Sequence, residues 1–318
     1  HFQTSVLTKA TRVVAAAQGR QVVEFGSRRA PGRDAALSVA RAVYLAGGAG
    51  TSNTLAGQLF GIPVFGTMAH SYIQAHETEA EAFRAFAALY PESTILVDTY
   101  DTLDGVRLVI ELARRAGSGF AASAIRLDSG DLASLARESR RILDEAGFGN
   151  IRIFASSGLD EYQIARLMAG GAPIDAFGVG TKLAVCADAP DLDMAYKLVE
   201  YAGRGRCKLS AGKTIYPGRK QVFRRIRDSR FAGDTIGRAD EQLPGIPLLI
   251  PLMLKGVPQS AATLEESRSR LREQMALLPE NLRSLDERGE PYPVDFSQTL
   301  QQDLDHLRET TIRRTAKC

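Results

Sequence analysis

Seven short apolar runs each end in small, polar or charged residues, and this alternation narrows the folds open to the chain more than any other feature. The runs with their tips are VVEFGSRR (22–29), LAGGAGTSN (45–53), IPVFGTMAH (62–70), TILVDTYD (94–101), SAIRLDSGD (123–131), IRIFASSG (151–158) and IDAFGVGTK (174–182). Helical patterns such as EAEAFRAFAALY and DLASLARESRRILDEAG lie between them. Strand, polar tip and helix in repetition is the sequence form of an α/β barrel or an open α/β sheet. In a barrel of this kind the C-terminal strand ends converge on one pocket. The tips are therefore the place to look for chemistry.

With 318 residues the chain can bury one large core or two domains. An opening helix is expected over 1–20, and the strand–helix repeats fill the rest of a first domain, 1–190. The remainder, 191–318, reads differently. AYKLVEYAGRGRCKLSAGKTIYPGRKQVFRR has strand-like alternation and turn residues, so it predicts a meander outside the repeats. Three prolines in QLPGIPLLIPLMLKG forbid a continuous helix and predict extended packing segments. LEESRSRLREQMALLPENLRSL is helical, and 299–318 form a polar terminal helix.

Composition excludes several classes of partner. A net charge of +3 without any block of like charge leaves no footprint for nucleic acid or a membrane surface. No apolar stretch approaches the roughly 20 residues that a membrane helix needs. Three cysteines, Cys186, Cys207 and Cys318, lack paired spacing and point to a reducing, cytoplasmic setting. The chain starts at His1 with helix and no signal peptide, which is read as the loss of a true N-terminus.

Two motifs fail on inspection. CKLSAGKT (207–214) has Cys207 where a phosphate-cradling loop needs its first glycine, and IYPGRK cannot open the helix that should follow. Lys208 and Lys213 can still meet phosphate as point charges. GAGTSNTLAG (48–57) has Asn53 in place of the third glycine of a dinucleotide fingerprint.

Four tips carry more. GTMAH sets His70 just past a strand, where it can be a base, a ligand, a phosphoryl acceptor or a hydrogen-bonded structural residue. Thr67 of the same turn is counted with the substrate-binding residues. His76 lies at the wrong spacing to share a helix face with it and is read as structural. RLDSGD places Arg126 and Asp128 on one side of a strand end. The arginine can stack on a flat ring or pair with a carboxylate; the aspartate can hold ribose hydroxyls or offset a developing cation. Helix capping accounts for Asp131 but not for Asp128. EFGSRR brings the face of Phe25 and two guanidiniums, Arg28 and Arg29, within one turn, which suits a planar anion. FGVGTK exposes the backbone N–H groups of Gly178, Gly180 and Thr181 as an anion nest, while Ser156 and Ser157 add hydroxyls. Asp98 and Asp101 of VDTYDT suit helix capping at least as well as binding. Clamp, carboxylate, nest and histidine together fit an aromatic acid and a phosphorylated sugar.

EFGSRRAPGRDA, AGGAGTSNTLAGQLFGIPVFGTMAHS, LVDTYDT, IRLDSGD, FASSGLDE, FGVGTKL, YKLVE and KLS-x-GK-x-x-x-PG-x-KQV-x-R follow one another in order, and in this they resemble nicotinate phosphoribosyltransferases. The resemblance implies an α/β chain folded as an irregular TIM-like α/β barrel, with part of a second α/β sandwich domain in 191–318. It implies transfer of phosphoribosyl from phosphoribosyl pyrophosphate to nicotinate, the first step of NAD salvage, coupled to ATP hydrolysis through a phosphohistidine. ATP is then a co-substrate, and Mg²⁺ arrives with it or with the pyrophosphate; no protein metal site is expected. By the resemblance His70 is the phosphorylated residue, Phe25 stacks on the nicotinate ring and Arg28 lies near its carboxylate. Arg126 and Asp128 hold ring and ribose, Ser156 and Ser157 flank ribose and phosphate, and Gly180 and Thr181 bind the 5′-phosphate. It further implies a homodimer in which the absent N-terminal segment completes the neighbouring site.

Ser52 and Asn53 address the choice of base. Both can donate to a carboxylate, where an aspartate would repel it. They favour nicotinate over the nicotinamide used by a related enzyme. Quinolinate phosphoribosyltransferase would need more basic groups for its dicarboxylate. The reading from another class is a catalytically incomplete nucleotide-binding fragment.

Overall fold

Six of the seven tip-bearing runs take places in one parallel sheet. Its strands are β1 (Gln21–Glu24), β2 (Gly50–Thr51), β3 (Ser93–Leu96), β4 (Ala122–Leu127), β5 (Arg152–Ala155) and β6 (Ala176–Val179). The computed structural model describes residues 1–116, 120–208, 214–259, 262–285 and 290–315. The spatial order is β2-β1-β6-β5-β4-β3, with every neighbouring pair parallel. The run at 62–70 gives a bridge rather than a strand. Val64 pairs parallel with Thr51, held by hydrogen bonds from the Thr51 amide to the Pro63 carbonyl and from the Phe65 amide to the Thr51 carbonyl. Three residues on, the Thr67 hydroxyl donates to the Thr94 carbonyl at 2.9 Å. This segment thereby spans the gap between β2 and β3, so the strands follow chain order around a curled, irregular barrel.

The helices are α1 (Phe2–Ala16), α2 (Arg33–Leu45), α3 (Thr54–Phe60), α4 (His70–Gln74), α5 (Glu79–Leu89), α6 (Thr102–Ala116), α7 (Leu132–Glu145), α8 (Glu161–Ala169) and α9 (Thr181–Ala184). Polar tip residues start several of them. Asn53 accepts from the Ala56 amide, Asp131 from Ala133 and Ser134, and Asp160 from Gln163. Thr78 and Glu81 form a reciprocal capping box at α5. Each device satisfies amides that a first helical turn leaves without partners. Ile95, Leu96, Ile125, Leu127, Ile153 and Phe177 are fully buried in the sheet.

One contact between helix and sheet is close enough to demand glycine. A Cβ on Gly105 of α6 would lie 2.2 Å from the Val97 carbonyl oxygen, which belongs to backbone and cannot step aside. Gly105→Ala should therefore destabilise the protein by about 2 kcal/mol despite alanine's better helix propensity. An unchanged urea midpoint would show that α6 can slide off β3.

The chain divides into two compact units, His1–Leu192 with Leu264–Arg272, and Asp193–Thr263 with Glu273–Cys318. In the second, strands Lys220–Arg227 and Arg230–Arg238 form an antiparallel pair. Ile246–Pro247 joins one edge, and Val294–Phe296 joins the other in parallel. Helix Gln298–Thr315 brings Leu300 and Leu304 into a core with Phe223 and Phe231, all four buried. The proline-rich stretch is extended, as its composition requires, but it does not pack: Leu249, Ile250, Leu252, Met253 and Leu254 are each more than half exposed. Most of the glycine–lysine decoy, Lys213 included, lies outside the described residues, as does Cys318. Cys186 and Cys207 are free thiols. No helix among the described residues is long and apolar enough to cross a membrane.

Candidate active site

Strand alternation decides what faces the barrel interior. Val23 and Phe25 line an interior cavity with Phe154 and Ala176, so Val22 and Glu24 point outward to the helices. Above that cavity, at the C-terminal strand ends, an open cleft of about 690 Å³ gathers residues from four tips. Phe25, Arg28, Ser52, Thr67, His70, Arg126 and Asp128 all line it. Asn53 follows Ser52 on the second tip, whereas Ser156 and Ser157 after β5 and Gly178, Gly180 and Thr181 at the end of β6 belong to tips that do not line this cleft.

Arg126 is the hub. Its Nε donates to the Ser156 hydroxyl at 2.8 Å and its Nη2 to Asp128 Oδ1 at 2.8 Å. Its guanidinium carbon lies 5.3 Å from the centre of the Phe25 ring, within cation–π range. Phe25 in turn packs against Phe154 with ring centres 5.6 Å apart. Gly178 makes this possible, because a Cβ there would stand 2.8 Å from both rings. The Ser156 hydroxyl also donates to Asp128 Oδ1. Partial burial pushes the Asp128 carboxyl up, but the charge of Arg126, the bonds from Ser156 and Arg126 and the nearby His70 outweigh it, so its pKa lies below the ordinary value. Asp128 is thus held as an anion.

His70 opens α4 with Nε2 3.6 Å from Asp128 Oδ2. Its other nitrogen, Nδ1, is 3.0 Å from the Thr99 hydroxyl. Engaging Nδ1 in this way leaves Nε2 as the nitrogen next to Asp128. His76 bonds the Tyr72 carbonyl through Nδ1 at 2.9 Å, a local structural role.

The two arginines of the first tip separate. Arg28 lines the cleft, whereas Arg29 donates to the Thr181 hydroxyl beside the Gly180 turn. Ser157 takes a φ of 106°, a left-handed value that costs a residue with a side chain about 1–3 kcal/mol. Asn53 commits its carbonyl oxygen to the α3 cap, which leaves its NH₂ as a donor.

Sequence reasoning missed three contributors. Asp98 is not a cap: its Oδ2 accepts the Asp128 amide at 2.8 Å and the Ser129 hydroxyl, while Asp101 takes the capping bond from the Asp104 amide. Asp98 Oδ1 is buried without a hydrogen-bond partner among the described residues. Thr99 orients His70 from the same tip. Glu24 is wholly buried behind the first tip, where burial pushes its carboxyl up and bonds from Thr51, Gly26 and Ser27 pull it part-way back. An acidic residue in an otherwise apolar strand was the available signal for Glu24.

Residues 20–214, more than half of the chain, match the model of the nicotinate phosphoribosyltransferase (NAPRTase) family. The chain belongs to that family. It is 57% identical over 310 residues to nicotinate phosphoribosyltransferase pncB2 of Mycobacterium tuberculosis, a match covering 97% of this chain and 67% of that protein. It is 44% identical over 252 residues to the Bacillus subtilis nicotinate phosphoribosyltransferase, covering 76% of this chain and 51% of that one. Among solved structures, human nicotinic acid phosphoribosyltransferase superposes with a TM-score of 0.84 at 26% identity, over 96% of this chain and 74% of that one. The chain therefore spans between half and three quarters of the length of these family members. Its curled parallel sheet with surrounding helices is the α/β barrel of the family.

Proposed function

We propose that this chain carries the catalytic barrel of a nicotinate phosphoribosyltransferase acting in the cytoplasm. The observation that carries the proposal is the Phe25–Arg126–Asp128–Ser156 cluster at the floor of a cleft that His70 and Arg28 also reach. An aromatic face and a guanidinium suit a flat anionic base. Ser52 and the free NH₂ of Asn53 are donors, and no carboxylate stands with them on that tip, which favours nicotinate over nicotinamide. Attack of the pyridine nitrogen on C1 of the sugar builds positive charge on the ribose ring, and the Asp128 anion can offset it. The Gly180 turn, with Thr181 and Arg29 beside it, suits the 5′-phosphate.

ATP coupling belongs to the same proposal. In the tautomer whose Nδ1–H donates to Thr99, His70 Nε2 carries the lone pair that attacks the γ-phosphoryl group. The P–O bond to ADP then breaks, and the later loss of phosphate to water returns the histidine. Mg²⁺ bound with the pyrophosphoryl group or ATP would neutralise phosphate charge, and the unpartnered Asp98 Oδ1 is an oxygen donor suited to it. Exposed Val64 and Phe65 in the cleft lining, with exposed Leu59 and Phe60 on the helix before them, support closure by a neighbouring subunit in a homodimer.

The test is product formation from phosphoribosyl pyrophosphate and Mg²⁺ with nicotinate or nicotinamide, with and without ATP. Turnover should select nicotinate. ATP should stimulate it in the native protein and have no effect in His70→Ala, whose ATP-independent rate persists. ATP stimulation surviving in His70→Ala would end the phosphohistidine assignment; turnover of nicotinamide alone would end the choice of base.

A further inference from the structure

We propose that Glu24 is a positioning residue that locks the two strand tips forming the base side of the cleft. The inference rests on the function proposed above, since it assigns the base to those tips. Glu24 ends β1 and points away from the barrel interior, into the layer between sheet and helices. No part of its side chain touches the cleft, so it must act through other residues.

Its two oxygens together serve both tips. Oε1 accepts the amide of Gly26, and Oε2 accepts the Ser27 hydroxyl at 3.4 Å; both donors lie in the turn that carries Phe25 and Arg28. Oε2 also accepts the hydroxyl of Thr51, the residue opposite Glu24 in β2. The Thr51 oxygen in turn accepts the amide of Asn53 at 2.9 Å, which sets the Ser52–Asn53 turn. One carboxylate therefore fixes Phe25 and Arg28 on one side and Ser52 and Asn53 on the other. Gly26 adds a third link, because a Cβ there would sit 2.6 Å from Ala184 Cβ and 2.9 Å from the Gly180 carbonyl. The turn held by Glu24 is thus pressed against both ends of the short α9, at Gly180 and at Ala184.

Fold stability alone does not account for such a residue. Glu24 and Thr51 are both fully buried, and no cation pairs with Glu24 among the described residues. A hydrogen-bonded polar pair at such a place can be exchanged for an apolar pair of similar shape at little cost. What an apolar pair cannot do is hold two separate backbone turns in register with each other.

Three variants separate the roles. Glu24→Gln keeps the shape but replaces one acceptor oxygen by an NH₂ and removes the charge: turned to the Gly26 amide the NH₂ releases the first tip, turned to Thr51 it forces that hydroxyl to reverse and accept, and the remaining bonds lose their charged acceptor. Thr51→Val cuts the link to Asn53 alone, and Thr51→Ser keeps it. Nicotinate KM should rise about tenfold in Glu24→Gln and Thr51→Val, on the scale of one lost bond to a charged acceptor. The KM for phosphoribosyl pyrophosphate should move less than about twofold, and Thr51→Ser should behave as the native protein. Amide exchange, which needs no turnover, should quicken in peptides covering 25–28 and 52–54 in Glu24→Gln and stay unchanged at 127–131. Unchanged exchange at the two tips overturns the proposal. So does an equal rise in both KM values, or a lowered thermal midpoint with nicotinate KM unmoved, since each makes Glu24 a stabilising residue only. If the native protein does not use nicotinate, the proposed function fails, and exchange at the two tips still decides whether the clamp exists.

Discussion

Asp128→Asn should lower kcat for nicotinate mononucleotide formation by about 10²–10³-fold, the scale of losing one electrostatic group aimed at transition-state charge. Asparagine is the informative replacement. Its carbonyl oxygen can still accept from Arg126 Nη2 and the Ser156 hydroxyl, the two bonds that fix the position of Asp128. The substitution therefore removes the charge and keeps the placement. Nicotinate KM should change little, because Phe25, Arg28 and Arg126 remain. A fall in kcat below about threefold would show that Asp128 only anchors Arg126, and the charge on the ribose would need another partner. The pH dependence has a definite sign. The folded-state pKa of Asp128 is depressed below its ordinary 3.8, chiefly against the opposing effect of burial and through Arg126. Its ion pair therefore contributes stability above the unfolded pKa and loses it as pH falls through the folded value. An acid limb in kcat near neutrality would belong to some other group.

The barrel was legible because its signals are local. Six of the seven apolar runs are strands, since short apolar segments closed by polar tips have few other uses in an α/β chain. The seventh makes only a single bridge, Val64 with Thr51, beside Gly50, where the absence of a side chain leaves room for the Pro63 carbonyl. Thr67 came from the same motif and lines the cleft, but its hydroxyl is spent on the seam with Thr94. Asp131 caps its helix as spacing required, and Asp128 beside it does not. What the sequence could not give is the register that sets one tip against the next. Asp98 reaches the Asp128 amide, and Glu24 reaches Thr51, only because particular strands pair at particular residues. For the same reason nothing in LEESRSRLREQMALL marks its first half as belonging with the barrel. There Arg268 donates to the carbonyls of Tyr44 and Gly48 and stacks on the Tyr44 ring, a set of contacts more than 200 residues apart in sequence.

Lys9→Met should cost about 3–5 kcal/mol of unfolding free energy while leaving kcat of the folded protein unchanged. Lys9 on α1 is 4% exposed and Glu161 at the start of α8 is wholly buried. Lys9 Nζ donates to Glu161 Oε2 at 2.9 Å and to Asp188, which closes the turn after α9. Arg12 adds contacts of 3.2 Å to Glu161 and 2.9 Å to Asp188. Removing Lys9 leaves a buried carboxylate with one half-exposed partner, and uncompensated buried charge is the costly part. Lys9→Met combined with Glu161→Leu should recover most of the loss, because two apolar side chains carry no desolvation penalty. Urea unfolding of the native protein, both single variants and the double variant gives the coupling directly. A single-variant cost below about 1 kcal/mol would mean that water and Arg12 satisfy Glu161 unaided. The network also predicts a flat stability profile between its two limits. Burial depresses the Lys9 pKa, but the bonds to Asp188 and Glu161 more than reverse this and leave it above 10.5, so its contribution is complete below that value and is lost as pH rises through the folded pKa. Asp188 is held below its ordinary 3.8, against burial, chiefly by its bond from Lys9, so its contribution is lost as pH falls through the folded pKa. Between these limits the ions fasten α1 to α8 and to the end of α9, the helix that begins at the Gly180 turn. A stability loss there without a loss of kcat would separate the support of the barrel from the chemistry of its tips.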